Sequence, residues 1–311
     1  MPDAALLAVT RHAPTAMVTS VDHLASSAGV EVLRRGGSAA DAAVAASAVL
    51  AVTSPHMCGM GGDLFALVHD PEAPGAGPSA LDASGWSGSG ADAERLRAEG
   101  YTAMPLLGDV RAVTVPGCVD GWLALHARYG RLPLTTVLEA ATGYARGGFP
   151  ASPSLATAVD GLGDAPGAGD LTCGRPLATG ATVRRPGVGG ALAAIALDGR
   201  DGFYGGAFGA GLLTLGAGEY EPADLAAPLG RWVEPLTVRA FGHDLWTVPA
   251  PSQGYLTLLG ATIAEGLDIP DEPDARWAHL LIEAARAAAH DRPDLLFDGA
   301  ELAPLFRPEE V

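Results

Sequence analysis

Along the first third of the chain, two helical patterns of apolar residues follow one another. Leu24, Ala25, Ala28, Val32 and Leu33 line one face of the segment 22–35, the period of an amphipathic helix. Asp22 stands at its N-cap and Gly36-Gly37 supplies the stop. Ser38-Ala-Ala-Asp41 then opens a second helix with a variant capping box, Asp taking the place of Glu or Gln. Alanine and valine occupy this helix almost all round as far as Pro55, which predicts burial on several sides. The glycine cluster Gly59-Met60-Gly61-Gly62 leads into a strand over 64–69. A Pro- and Gly-rich turn over 71–78 separates it from a second strand over 80–84. Buried helices feeding a sheet predict a layered α/β arrangement.

Further on, 84–90 reads as loop and 91–100 as a short helix. Residues 113–116 read as extended, 119–129 as a helix stopped by Gly130, and 134–146 as one helix ended by Gly147-Gly148. The stretch 155–190 is rich in Gly, Ala, Asp and Pro with weak periodicity, and reads as an irregular excursion. Two strands over 233–248 meet at Gly242-His243. A helix from Ser252-Gln253-Gly254 reaches about 265, and another over 275–290 turns Trp277, Leu280, Leu281 and Ala284 or Ala285 inward. No repeat emerges. Residues 1–15 read as an N-terminal extension and 304–311 as a polar, frayed tail.

Composition narrows the function classes. The 311 residues carry 19 basic and 36 acidic side chains, a net charge of −17, and no lysine. There is no basic field to release counterions from a nucleic-acid backbone or to seek an anionic membrane. Without lysine, neither a Schiff-base mechanism nor a phosphate-cradling P-loop can be built from this chain. Cys58, Cys118 and Cys173 are too few and too scattered for a disulfide framework or a zinc site, and read as small buried residues. The N-terminus lacks a basic stretch followed by a long apolar one, and the longest apolar run, 42–52, is too short to cross a bilayer. The expectation is a soluble, cytoplasmic protein without metal or cofactor.

Local motifs alone point nowhere firm. Gly59-Met-Gly61-Gly62 follows a helix, precedes a strand and has Leu64 where a dinucleotide fingerprint needs its last glycine. Gly85-Trp-Ser87-Gly-Ser89 falls one glycine short of a nucleophile elbow, and no strong helix starts directly after it. His279 and Glu283 lie one helical turn apart, as a surface pair does. The acidic stretch 268–274 reads as a solvated loop.

Taken together, a collinear set of segments resembles one family. They are Met17-Val-Thr-Ser20, Leu24-Ala-Ser26 through Val32-Leu-Arg-Arg-Gly-Gly37, Ala40-Asp-Ala-Ala-Val44, Pro55-His-Met-Cys-Gly-Met-Gly-Gly62, Val113-Thr-Val-Pro-Gly117 with Gly121-Trp122, Tyr129-Gly-Arg-Leu-Pro133, Gly148-Phe-Pro150, Trp232-Val-Glu-Pro235 and His279-Leu-Leu-Ile-Glu-Ala284. The chain is similar to the large subunit of the γ-glutamyltranspeptidase family from about residue 16 to about 292, most weakly over 155–190. The resemblance implies a four-layer αββα sandwich of the N-terminal-nucleophile hydrolase type, with residues 1–311 as its large subunit and a separate small subunit completing it. It also implies a precursor that cuts itself, and a nucleophilic threonine at the new N-terminus of the small subunit. On that expectation this chain holds no catalytic residue. The partners expected are the small subunit and a small-molecule acid or amide, with a dimer of heterodimers compatible.

One departure carries the functional expectation. In the family, the loop after the second strand bears an arginine that grips the substrate's α-carboxylate, in contexts resembling "DFRE" or "GSGR". Here the sequence is Asp82-Ala-Ser-Gly-Trp86, and the arginine's place falls on Trp86, or on Ser84 in the other alignment. Neither can supply its charge-assisted, bidentate bond. Trp86, Ser84 and Ser87 are therefore expected to face the substrate, with Arg111 as an alternative carboxylate holder. The expected reaction is hydrolysis of an amide or carbon–carbon bond in a planar acid, as in actinomycete relatives that act in routes to 4-alkylproline units. Ordinary γ-glutamyl hydrolysis or transfer, and a non-catalytic family member, are the rivals.

Overall fold

The computed structural model describes residues 12–72, 77–105, 108–162, 168–172, 176–271 and 273–306. It divides into two units, Met1–Gly59 with Leu125–Phe208, and Met60–Ala124 with Gly209–Val311.

The first unit is helical. Helix α1, His23–Arg34, begins where the Asp22 carboxylate accepts the Leu24 N–H at 2.7 Å. It buries Ala25, Ala28, Gly29 and Val32, the face that its sequence period marks. Gly36 N–H and Gly37 N–H return to the carbonyls of Leu33 and Val32, which closes the C-terminus. Helix α2, Ala39–Thr53, packs against it. Its capping box is complete, with the Asp41 N–H donating to Ser38 and the Ser38 N–H to Asp41. Nearly every residue from Ala40 to Thr53 is buried, as its unbroken apolar circumference requires.

Asp41 does more than cap α2. Fully buried, its Oδ2 also accepts the N–H groups of Arg131 and Leu132 at 2.8 and 3.2 Å. Two stretches far apart in sequence, Ala40–Val44 and Tyr129–Pro133, are thus joined through one carboxylate. Three backbone donors converge on an oxygen withdrawn from water, so its removal costs all three their shared acceptor.

Three readings from sequence need correction here. The single helix expected over 134–146 is two, Leu134–Val137 and Glu139–Gly147. They are separated by Leu138 at φ −91°, ψ 1°, which turns Val137 and Leu138 both inward. The excursion over 155–190 is partly regular. Ser152 caps a helix, Pro153–Asp160, with proline in its first turn, an arrangement that proline's fixed φ favours. Thr182–Val183 then pairs antiparallel with Phe149–Pro150, and a helix runs over Pro186–Asp198. Cys58 is exposed, not buried, whereas Cys118 is buried; Cys173 lies outside the described residues.

The second unit holds a three-stranded antiparallel sheet. Strand β1, Leu64–Val68, pairs with β2, Ser79–Ala83, and β2 pairs on its other side with Arg231–Val233. The register sets Asp82 opposite both Phe65 and Arg231. A hairpin, Leu236–Ala240 with His243–Thr247, turns at Phe241-Gly242. Helices Tyr255–Glu265 and Ala275–Ala288 pack together, the latter burying Ala284 and Ala288. Leu305 and Phe306 pack against a cluster of Ala250, Tyr255 and Leu302, so the expected fraying does not reach Phe306; 307–311 lie outside the described residues. Parts of the N-terminal extension (1–11) and of the 71–78 turn (73–76) do too.

Asp41→Ala is expected to destabilise the complete protein by on the order of 2 kcal/mol, because it removes the buried acceptor shared by three backbone donors. Asp41→Asn, which keeps an acceptor oxygen, should cost less. Urea denaturation of the two variants and the wild type checks the order.

Candidate functional site

The loop 84–90 leaves the end of β2 and is held at almost every residue. Asp82, 2% exposed on β2, directs one oxygen at it: Oδ1 accepts the Ser84 N–H at 2.9 Å and the Ser84 hydroxyl at 2.7 Å. Its other oxygen takes Arg231 Nη2 at 2.7 Å, and Arg231 also reaches Asp298. Each charged oxygen thus meets donors as it leaves water. The Gly85 N–H donates to Asp63 Oδ1 at 2.9 Å, and the Trp86 carbonyl accepts the Val115 N–H at 2.9 Å.

The far end of the loop is anchored on the segment 216–224. Gly88 is buried against it, and a methyl group at that position would overlap the Glu219 carbonyl oxygen, so only glycine allows this approach. Ser89 donates through its N–H and its hydroxyl to Asp224 Oδ2 at 2.9 and 3.0 Å, and the Gly90 N–H to the Glu219 carbonyl. Partial desolvation would raise the Asp224 pKa. The hydrogen bonds from Glu221, from the Ser89 N–H and from the Ser89 hydroxyl together outweigh it and hold the carboxyl below its usual range.

What the clamped loop offers outward is side chain. Trp86 is 37% exposed, and Ser87 is exposed. Ser84 is buried, with its hydroxyl proton given to Asp82, so it can still accept a hydrogen bond but has no proton to offer. The segment that follows Arg111 runs alongside the loop through the Val115–Trp86 bond. Arg111 itself is engaged elsewhere. Its Nε and Nη2 donate to Asp109 at 3.0 and 2.7 Å, its Nη1 to Glu99 at 2.7 Å, and its guanidinium lies 5.4 Å from the centre of the Tyr101 ring. The hydrogen bonds to Asp109 and Glu99 push its pKa above the usual arginine value. Arg95 is likewise paired with Glu219. The structure therefore leaves Trp86 and Ser87 exposed on the loop, buries Ser84 ahead of them in the sequence, and commits Arg111 to two carboxylates.

Sequence reasoning passed over Asp63, Asp82, Tyr220 and Asp224. Asp82 carried a signal, since an Asp two residues before Ser84 is the pattern of an Asx turn. Asp224 acts across 135 positions, and nothing local announces that. His279 is exposed, and Glu283 pairs with Arg286 at 2.8 Å and not with His279. Among the described residues, no group of three or more His, Cys, Asp or Glu is placed to hold a metal, and no helix is long and apolar enough to cross a membrane. A cavity of about 520 Å³ in the first unit is lined by residues 16–21 and by α1 and α2 side chains such as Leu33, Ala46 and Leu50. It contains no acid or base.

Comparison with known proteins places the chain in a class. A family model described as Gamma-glutamyltranspeptidase matches residues 25–304. The chain is 37% identical over 287 residues to the oxamate amidohydrolase proenzyme of Klebsiella pneumoniae, a match covering 88% of this chain and 53% of that protein. It is 36% identical over 296 residues to the glutathione hydrolase-like YwrD proenzyme of Bacillus subtilis, covering 91% and 55%. Among solved structures, γ-glutamyltranspeptidase from Pseudomonas nitroreducens complexed with L-DON superimposes with a TM-score of 0.83 at 27% identity, covering 96% of this chain and 92% of that one. The chain belongs to the γ-glutamyltranspeptidase family and has the mixed α/β fold of its N-terminal-nucleophile hydrolases. It spans about half the length of the curated relatives it matches.

The depressed Asp224 pKa fixes a pH dependence. A carboxyl more acidic in the folded state stabilises that state above its unfolded pKa of about 3.9 and loses this effect as pH falls through the folded value. Protection of the Ser89 and Glu221 amides against hydrogen exchange should therefore hold at neutral pH and decline below about pH 4. In Asp224→Ala it should be lower by roughly ten- to a hundredfold at pH 7, the worth of a hydrogen bond to a charged group.

Proposed function

We propose that this chain is the large subunit of a self-processed hydrolase whose nucleophile, an N-terminal threonine, is supplied by a small subunit from the same precursor. In this reading the loop 84–90 forms one wall of the acyl pocket. Family membership and the proenzyme character of relatives at 36–37% identity support it.

The division of labour follows from chemistry. A threonine hydroxyl is a weak nucleophile by itself. A free α-amino group with a pKa near 8 can act as its base, and only chain cleavage creates that amine beside the hydroxyl. The large subunit then contributes shape and substrate contacts, for which a rigid loop is suited: a group held by its neighbours loses little freedom when substrate arrives.

The observation that carries the specificity is the indole of Trp86. It stands partly exposed on the clamped loop, at the position that, with Ser84 as the alternative, the resemblance matches to the family's carboxylate-gripping arginine. Arg95, Arg111 and Arg231 of the same unit are each matched to carboxylates. A γ-glutamyl head group, with its α-carboxylate, would meet an apolar face and a single N–H donor. A planar acyl group would instead stack on the ring, with Ser87 and the Ser84 oxygen as polar contacts at its edge. The substrate class proposed is an amide, or a ketone with a stabilised carbon leaving group, of a planar or aromatic acid. In both, threonine attack gives the same acyl-enzyme, and water releases the acid.

The complete, processed protein is expected to turn over γ-glutamyl p-nitroanilide poorly and the p-nitroanilide of a planar aromatic acid better. Trp86→Arg should raise kcat/KM for the γ-glutamyl compound by roughly ten- to a hundredfold, the worth of one charge-assisted pair, and lower it for the aromatic one. Efficient γ-glutamyl turnover by the wild type would overturn the pocket assignment.

A further inference from the structure

The clamp on the substrate loop converges on one side chain outside that loop. Tyr220 is 5% exposed. Its ring lies between two glycines: a methyl group on Gly88 would crowd one edge, and one on Gly216 would run into the other. Its hydroxyl emerges from this slot beneath the segment 110–115, lying 3.1 Å from the Val110 carbonyl oxygen and also reaching the carbonyl of Val113. That segment carries the Val115 N–H, which holds the Trp86 carbonyl. The neighbouring residue, Glu219, takes the Gly90 N–H through its carbonyl and Arg95 through its carboxylate. The connections close a ring: Trp86 to Val115, Val113 to Tyr220, Tyr220 and Glu219 to Gly88 and Gly90, and back along the loop to Trp86.

We propose that Tyr220 is a positioning residue for substrate recognition, fixing through the Val113 carbonyl and Gly88 where the Trp86 side chain stands. This rests on the reading of the 84–90 loop as a pocket wall. A simple core tyrosine would need neither a glycine on each side nor a hydroxyl directed at the segment that holds the proposed recognition loop. Burial, with Glu219 and Asp224 alongside, raises its pKa above the usual phenol value, so the hydroxyl stays a donor throughout the working range. Tyr220 takes no part in bond making. Its effect falls on ground-state and transition-state binding alike, and so belongs in KM, not kcat.

The experiment uses the complete processed protein and whichever p-nitroanilide, γ-glutamyl or aromatic acyl, the wild type turns over best. Tyr220→Phe preserves the packed ring and removes only the hydroxyl. It should raise KM about tenfold with kcat within about twofold, consistent with loss of one buried hydrogen bond. Hydrogen exchange should quicken at Val115, Ser89 and Gly90 and not at α1 or α2. Gly216→Ala, which pushes the ring from the other side, should reproduce the KM change. A Tyr220→Phe protein with wild-type KM and unchanged exchange in the loop overturns the proposal, as does an equal fall in kcat for both variants without a KM change. Absence of turnover by the wild type on either compound would instead count against the proposed hydrolase reading. The exchange measurement would still decide whether Tyr220 fixes the loop.

Discussion

A carboxylate that leaves water is costly unless donors meet it, and Asp82 imposes this demand on the second unit. It sits near the end of β2, between β1 and Arg231–Val233, so the sheet fixes where its oxygens point. One oxygen is answered by Arg231 from the neighbouring strand, the other by the backbone and hydroxyl of Ser84. The second answer turns the chain out of the strand and starts the 84–90 loop in a defined direction. The Gly85 bond to Asp63, the close approach of Gly88 to Glu219 and the pairing of Ser89 with Asp224 follow from that start. Burying an ion costs several kcal/mol unless its partners are well placed. Here that cost is offset by contacts that also fix the loop.

In the proposed reading, the same logic gives Trp86 its functional weight. An arginine there would bring its own charge and its own bidentate geometry to a substrate carboxylate. Trp86 brings area and planarity. The backbone around it is held from both ends, so the proposed wall has a fixed position. Arg95, Arg111 and Arg231 are already committed, since their guanidinium groups balance Glu219, Asp109, Glu99 and Asp82.

Much of the architecture was legible in the residues because local signals agreed. Asp22 and Ser38-Ala-Ala-Asp41 announce two helix starts through side-chain oxygens that cap them, and α2 reveals its burial by having no polar face. Helices Pro186–Asp198 and Ala207–Leu215 carry little signal: glycine, alanine and leucine repeat without a polar stripe, so no period stands out. The break at Leu138 was hidden for another reason, since it arises from two adjacent side chains both seeking the interior. In the candidate site, Trp86, Ser84 and Ser87 could be found because a motif brackets them. Their supports could not, because Asp224 and Tyr220 reach the loop and its neighbouring segment across more than a hundred positions, and such a pairing is made only by the fold. Arg111 looked free in sequence because its neutralisation depends on a turn that brings Asp109 and Glu99 to it.

In the function proposed, this chain is one half of a self-cleaving hydrolase and gives a pocket wall to a threonine nucleophile borne by the other half. Intact-mass measurement and N-terminal sequencing of the complete gene product test it most directly. The account predicts two associated chains, one containing the residues described here and a second whose first residue is threonine. A single uncut chain, or a second chain beginning with a residue that offers no nucleophilic side chain, would contradict it.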